Sequence, residues 1–177
     1  MGFGVREFEL ALMHRMRDLN PDRVEDALAA MDATRAELRQ AHAHWTRLTA
    51  AAPRGARRFV TALGRPPSLS ERPVGSLTCD ALSWPLPSWP GLEFEVLTGP
   101  GGEVWNAWFV RPGAARVPDV AGLVPWEYVV ADVAFPGATQ DEGSAPHHWV
   151  VSFRYGTAAY RARFVYGLFQ RLDPVTG

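Results

Sequence analysis

A chain of 177 residues with 47% hydrophobic and 21% charged side chains is long enough to bury a core and is not disordered by composition. All 18 basic residues are Arg; Lys is absent, which removes Schiff-base chemistry, GxxxxGK[ST] phosphate loops and kinase-type Lys–Glu pairs. A single Cys excludes an internal disulfide and any multi-Cys zinc site, and a net charge of -1, +2 over residues 1–80 and -3 over residues 81–177, is too balanced for an obvious nucleic-acid domain.

Phe8, Leu12, Met16 and Leu19 recur at three- and four-residue steps and predict a first helix. Asn20-Pro21 ends it and begins a second. Asn is a good N-cap, Pro suits the first helical position, and Asp22, Glu25 and Asp26 complement the helix dipole. The second helix is expected from Pro21 to Ala52, because Val24, Met31, Leu38, Trp45 and Ala52 fall seven apart. It would pair with the first as an antiparallel hairpin. Arg54 to Leu63 reads as a short third helix, stopped by Gly64 and Pro66-Pro67.

Residues 64–90 are rich in Pro, Ser and Gly and are expected to form a wrapping linker, packed down at its end by Trp84 and Trp89. Strand patterns follow. Residues 92–97 and 104–111 flank a Gly-rich turn, residues 126–135 read as a third strand, and residues 147–155 and 160–169 flank Gly156-Thr157. The expectation is an α+β chain with helices over 1–63, the linker over 64–90, and a mainly antiparallel sheet of about five strands over 91–172, as a single folded unit. Helices followed by such a sheet loosely resemble the cystatin-like or nuclear-transport-factor-like fold. That resemblance implies a sheet wrapped around a helix and a pocket.

Histidines give no metal site: His147 and His148 are adjacent and point to opposite faces of a strand, and His42 and His44 diverge around a helix. Neither a metal nor another cofactor is expected. An acid–base pair would centre on Asp132, which interrupts the apolar run Val129–Phe135, with His147, His148 or Tyr128 as companion. The favoured expectation is a solvent-exposed Asp132.

Two stretches hold Arg and no acid, between Glu37 and Glu71 and between Glu142 and Asp173. They nominate Arg54, Arg57, Arg58, Arg154, Arg161 and Arg163 as contacts to an anionic partner. Strand alternation sets Trp149, Val151, Phe153 and Tyr155 opposite Arg154. Trp84, Trp89, Trp105, Trp108 and Trp149 are the aromatics expected at an interface or pocket.

The leading expectation is a non-catalytic interaction or assembly protein, oligomeric or part of a larger complex, with a protein partner or a second copy. The N-terminus lacks a secretory pattern and no apolar run is long enough to span a bilayer, so a cytoplasmic, membrane-free protein is expected. The alternatives are a small-molecule enzyme or carrier using Asp132, and nucleic-acid binding through the Arg clusters.

Overall fold

The computed structural model describes residues 2–51, 55–116 and 119–175. They form an α+β chain, four helices followed by two four-stranded antiparallel sheets. The chain divides into two units, 1–107 and 108–177, each described here by itself.

The first unit contains α1 (Val5–Met16), α2 (Pro21–Ala30), α3 (Arg35–Ala51) and α4 (Arg57–Leu63). Its strands are β1 (Ser68–Val74), β2 (Leu77–Pro85), β3 (Glu93–Thr98) and β4 (Val104–Val110), a meander in the order β1-β2-β3-β4 whose last strand runs across the division. Helix α1 is central. Phe8, Leu12 and Met16 of its predicted stripe are buried, while Leu19 lies beyond its end and is half-buried; Leu10, Ala11 and Met13 are buried too, because neighbours surround the helix. Phe8 makes edge-on contacts with Trp45 of α3, Phe59 of α4 and Phe94 of β3. Glu9 is buried on the same helix, and its Oε1 accepts the Ser88 N–H at 2.7 Å. Burial pushes the Glu9 carboxyl up, against the opposing effect of the Ser88 hydrogen bonds.

The single long helix expected over Pro21–Ala52 is two helices. The Ala33 N–H bonds to Leu28 O and the Asp32 N–H to Ala29 O, with Asp32 in the left-handed region at φ 47°. That is a Schellman ending. The next helix starts at once with a capping box: Glu37 Oε2 accepts the Thr34 N–H at 2.8 Å, while Thr34 Oγ1 accepts the Glu37 N–H at 3.2 Å. The seven-residue repeat runs through this break without requiring a continuous helix.

The second unit contains β5 (Thr139–Glu142), β6 (His148–Tyr155), β7 (Ala158–Val165) and β8 (Leu168–Val175), in the order β5-β6-β7-β8. One face of this sheet carries Val151, Phe153, Ala162, Phe164 and Phe169, packed with Tyr128, Val133 and Phe135 from the preceding segment. Eight strands in two sheets replace the five in one wrapped sheet expected from the sequence and the cystatin-like resemblance. Residues 68–85 of the Pro-rich stretch are strands because Gly75, at φ 60°, turns β1 back onto β2. The strand expected over 126–135 is loop with a short 3-10 turn at Val130–Asp132. The strand expected over 160–169 turns at Tyr166-Gly167, both with positive φ, to begin β8.

Replacing Asp32 by Gly, which adopts a positive φ without a Cβ penalty, is expected to raise the unfolding free energy by about 0.5–1 kcal/mol. Urea titration measures this, and a loss of stability would show that the Asp32 side chain contributes more than its backbone strain costs. His14 of α1 and His42 of α3 supply a second test. Their rings stack at 4.0 Å with planes 11° apart, and Arg17 Nη1 lies 2.8 Å from His14 Nε2. Arg can only donate, so that nitrogen accepts and His14 is neutral. Burial, then the charges of His42 and Arg17, lowers the His14 pKa to about 4. Burial also lowers that of His42, with Arg15 and Arg17 adding to the effect. The unfolded chain takes up protons that the folded chain refuses, so the stabilisation is full above about pH 6.5 and falls away toward pH 4. His14→Phe keeps a stacked ring and is expected to flatten the Tm profile between those limits. An unchanged slope would mean that His14 is protonated in the fold.

Candidate functional site

The strongest sequence candidate for chemistry, Asp132, is fully buried in the second unit, contrary to the expected exposure. Arg111, just beyond the end of β4, grips it. Arg111 Nε donates to Oδ1 at 3.0 Å and Nη2 donates to Oδ2 at 2.9 Å, a two-pronged fork. The Arg116 N–H reaches Oδ1 at 2.7 Å and the Val129 N–H reaches Oδ2 at 2.9 Å, while Arg111 Nη2 also donates to Glu127 O. Burial raises the Asp132 pKa, but the Arg111 fork and the two backbone donors outweigh it and hold the carboxyl below its ordinary value. A carboxylate held this way is a poor proton carrier at neutral pH. Among the described residues no His or Tyr side chain hydrogen-bonds to it.

The expected companions lie elsewhere in their own contacts. Tyr128 is buried in the sheet core, with the Arg116 guanidinium 5.6 Å from its ring centroid. His147 is exposed, stands in the left-handed region at φ 63°, and stacks on Tyr166 at 4.4 Å. His148 begins β6 and is half-buried. Sequence reasoning missed Arg111, which lies 21 residues from Asp132 and outside both acid-free Arg stretches.

The aromatics separate into two groups. Trp84 and Trp89 are core residues, and Trp84 Nε1 donates to Gly64 O at the end of α4. Trp105 is exposed, its Nε1 donating to Glu103 Oε1 at 2.7 Å. Trp108 and Trp149 are half-buried with ring centroids 6.1 Å apart. Trp126, not nominated, is held at φ 70° as its Nε1 donates to the buried Gln170, an extra residue that a bulge inserts in β8.

Of the nominated arginines, Arg54 lies outside the described residues. Arg57 and Arg58 belong to α4 in the first unit, where Arg58 donates to Gly55 O and covers the Phe59 ring. Arg154, Arg161 and Arg163 belong to the second unit. They share the sheet face opposite its aromatic core, as strand alternation predicts, together with Arg171 and Asp173 of β8.

Two further features bear on binding. Every residue of β1 is exposed, and β1 is an edge of its sheet. Leu69, Val74 and Leu77 are 67%, 40% and 45% exposed, three large apolar side chains within nine residues of chain. Among the described residues no three His, Cys, Asp or Glu side chains gather as metal ligands, and no helix is long and apolar enough to cross a membrane.

No protein-family model and no curated protein matches the chain. A crystal structure described as a “putative beta-lactamase inhibitor protein” from Streptococcus mutans is similar at 12% identity, over 69% of this chain and 82% of that one, with a TM-score of 0.31. A likeness that weak fixes neither fold nor function.

Removing the Asp132 carboxylate leaves the largely buried Arg111 without its counter-charge. Asp132→Ala is therefore expected to cost about 3–5 kcal/mol in urea unfolding, whereas Arg111→Met with Asp132→Leu costs less than that single change. Because the carboxyl pKa is lowered, its stabilisation is present above about pH 3.9 and declines as the pH falls through the folded value. A loss under about 1 kcal/mol for Asp132→Ala would show that the pair is solvated.

Proposed function

We propose that this chain is a non-catalytic protein-binding protein and that the open edge of β1 takes an extended segment of a partner protein. The exposure of β1 along its whole length carries the reading. The register supports it. Val74 pairs with Leu77 across a two-residue turn, a hairpin in which the flanking pair exchanges both backbone hydrogen bonds. Val74, Arg72 and Ser70 therefore turn their backbone groups toward β2, and Leu69, Glu71 and Pro73 turn theirs outward.

Outward-facing Pro73 lacks an N–H, so its presence costs the ladder nothing. An incoming strand meets the N–H groups of Leu69 and Glu71 and the carbonyls of all three residues. Leu69 offers an apolar contact beside them, and Glu71 favours a basic residue opposite.

A second copy of the chain fits this edge poorly in full overlap. Two-fold pairing of antiparallel edges with the strands fully overlapped sets Glu71 against its own counterpart; moving the symmetry centre one residue sets Arg72, itself bonded to Glu95 at 2.9 Å, against Arg72 in one direction and Ser70 against Ser70 in the other. Like charges directly opposite are unfavourable. Full overlap, the register that pairs the whole of β1, is thus disfavoured for a second copy, and a different protein is the partner proposed for this edge.

Selection of displayed nine-residue segments against the intact chain tests this. Selected peptides are expected to slow amide hydrogen exchange at Leu69 and Glu71. Glu71→Pro, which deletes an outward N–H while sparing the β1–β2 ladder, is expected to weaken them about tenfold, or ~1.4 kcal/mol, with the urea midpoint unchanged. Retained peptides that bind Glu71→Pro as well as the parent chain would overturn the reading, as would a selection that retains none.

A further inference from the structure

The face of the second sheet opposite its aromatic core carries a patterned set of guanidinium groups. In register, Val150, Arg163 and Arg171 lie in one row across β6, β7 and β8, and Ser152, Arg161 and Asp173 lie in the next. Arg154 continues the face on β6, opposite Ala159. Arg163 Nε and Arg171 Nε hold the two oxygens of Asp173 at 2.5 and 2.7 Å. Asp173 is thus a carboxylate already seated between two arginines, and its pKa is lowered by them against the opposing effect of burial. Arg161, directly across from Asp173 on the neighbouring strand, is exposed and has no ion-pair partner among the described residues. Arg154 is exposed too, and its Nη2 donates to the Thr157 carbonyl, an uncharged acceptor.

We propose that this face binds an extended acidic segment of a partner protein, with carboxylates two residues apart seated on Arg161 and Arg154 as Asp173 is seated on Arg163 and Arg171. Three features select that occupant. Residues 143–172 contain no acid; the acids of β5 and β8 on this face are Asp173, held by Arg163 and Arg171, and Asp141, which is in the row of Val150 and not in that of Arg161 or Arg154. Guanidinium forks match carboxylates bidentately, and Arg161 and Arg154 are diagonal neighbours on adjacent strands, positions about 7–8 Å apart, close to the roughly 6.5–7 Å repeat of alternate residues in an extended strand. Finally, the aromatic residues of this sheet project to the other side: Trp149, Phe153, Tyr160 and Phe164 pair in the rows that form the core. Nucleic-acid strands bind platforms that combine cations with aromatic stacking, and here the two are on opposite faces.

The proposal goes beyond the β1 reading and does not depend on it, since the residues belong to the other sheet and the other unit. The test uses the full chain and three fluorescent probes of equal formal charge: a peptide alternating Glu and Ser, a peptide with its Glu in one block followed by Ser, and a thymidine oligonucleotide. Fluorescence anisotropy at 50 and 200 mM salt is expected to show the alternating peptide binding at least tenfold tighter than the other two, and weakening as salt rises. Arg154→Ala with Arg161→Ala is expected to reduce its affinity at least tenfold with an unchanged urea midpoint, and Glu71→Pro to leave it unaltered. Equal binding of the two peptides, or an unchanged affinity in the double variant, would reduce the face to diffuse positive charge and overturn the proposal. Tighter binding of the oligonucleotide would overturn it in favour of nucleic acid. Sedimentation showing a dimer that the double variant abolishes would assign the face to a second copy instead.

Discussion

The second unit depends on one buried charge pair. Between β4 and β5 the chain runs from Arg111 to Ala138 with no strand among its described residues, yet this segment supplies Tyr128, Val133 and Phe135 to cover a sheet. A long irregular stretch has many conformations to lose, and apolar contacts alone are non-directional. Asp132 supplies direction. Its carboxylate draws together the side chain of Arg111 and the backbones of Arg116 and Val129, three points of the same irregular stretch. Against well-packed apolar residues such a pair adds little net stability. Its effect here is on which arrangement forms, since a path that buried the guanidinium or the carboxylate without its partner would carry the cost of an unpaired charge.

Residues 126–130 of that segment are then held by backbone bonds to the start of β8 and the turn before it. The Phe169 N–H donates to Tyr128 O, the Trp126 N–H donates to Phe169 O, and the Val130 N–H donates to Gly167 O. Phe135 can stack on Phe153 at 4.3 Å because the chain leading to it has been fixed. The bulge that buries Gln170 belongs to the same system, since its Oε1 accepts the Trp126 indole and its Nε2 donates to Leu168 O. Trp126 keeps an unfavourable backbone conformation through these contacts, which over-determine its position.

Features with a local cause could be read from the sequence. Period-two alternation and Gly156 located the β6–β7 hairpin and sorted its faces, including the Arg face; Asn20-Pro21 marked the end of α1 and the start of α2. The break between α2 and α3 was also local, written as Thr34 followed three residues later by Glu37, but the seven-residue repeat of apolar positions ran across it and outweighed it. Tyr166-Gly167 was hidden inside an apolar run that continues to Phe169, so β7 and β8 read as one strand. The state of Asp132 had no local signature. Alternation assigned it to a strand, and only the distant Arg111 explains why a charge sits at zero exposure.

The Arg-only composition connects the core to the surface. Arg111 is committed to Asp132 inside the fold, with 17% of its side chain exposed. Arg163 and Arg171 share one half-buried carboxylate, and Arg161 stands beside that carboxylate without an acid of its own among the described residues. One kind of group thus appears at three degrees of satisfaction within a single unit. Planarity makes the series coherent: a guanidinium that meets a carboxylate with two parallel donors inside the fold presents the same fork when the carboxylate comes from outside. The edge of β1 offers the opposite kind of contact, backbone groups beside apolar side chains, with Glu71 opposing fully overlapped self-pairing. Binding there would gain from hydrogen-bond register and apolar burial and respond weakly to salt, whereas binding at the Arg face would weaken as salt screens it. The two surfaces therefore differ in physical mechanism as well as in location along the chain.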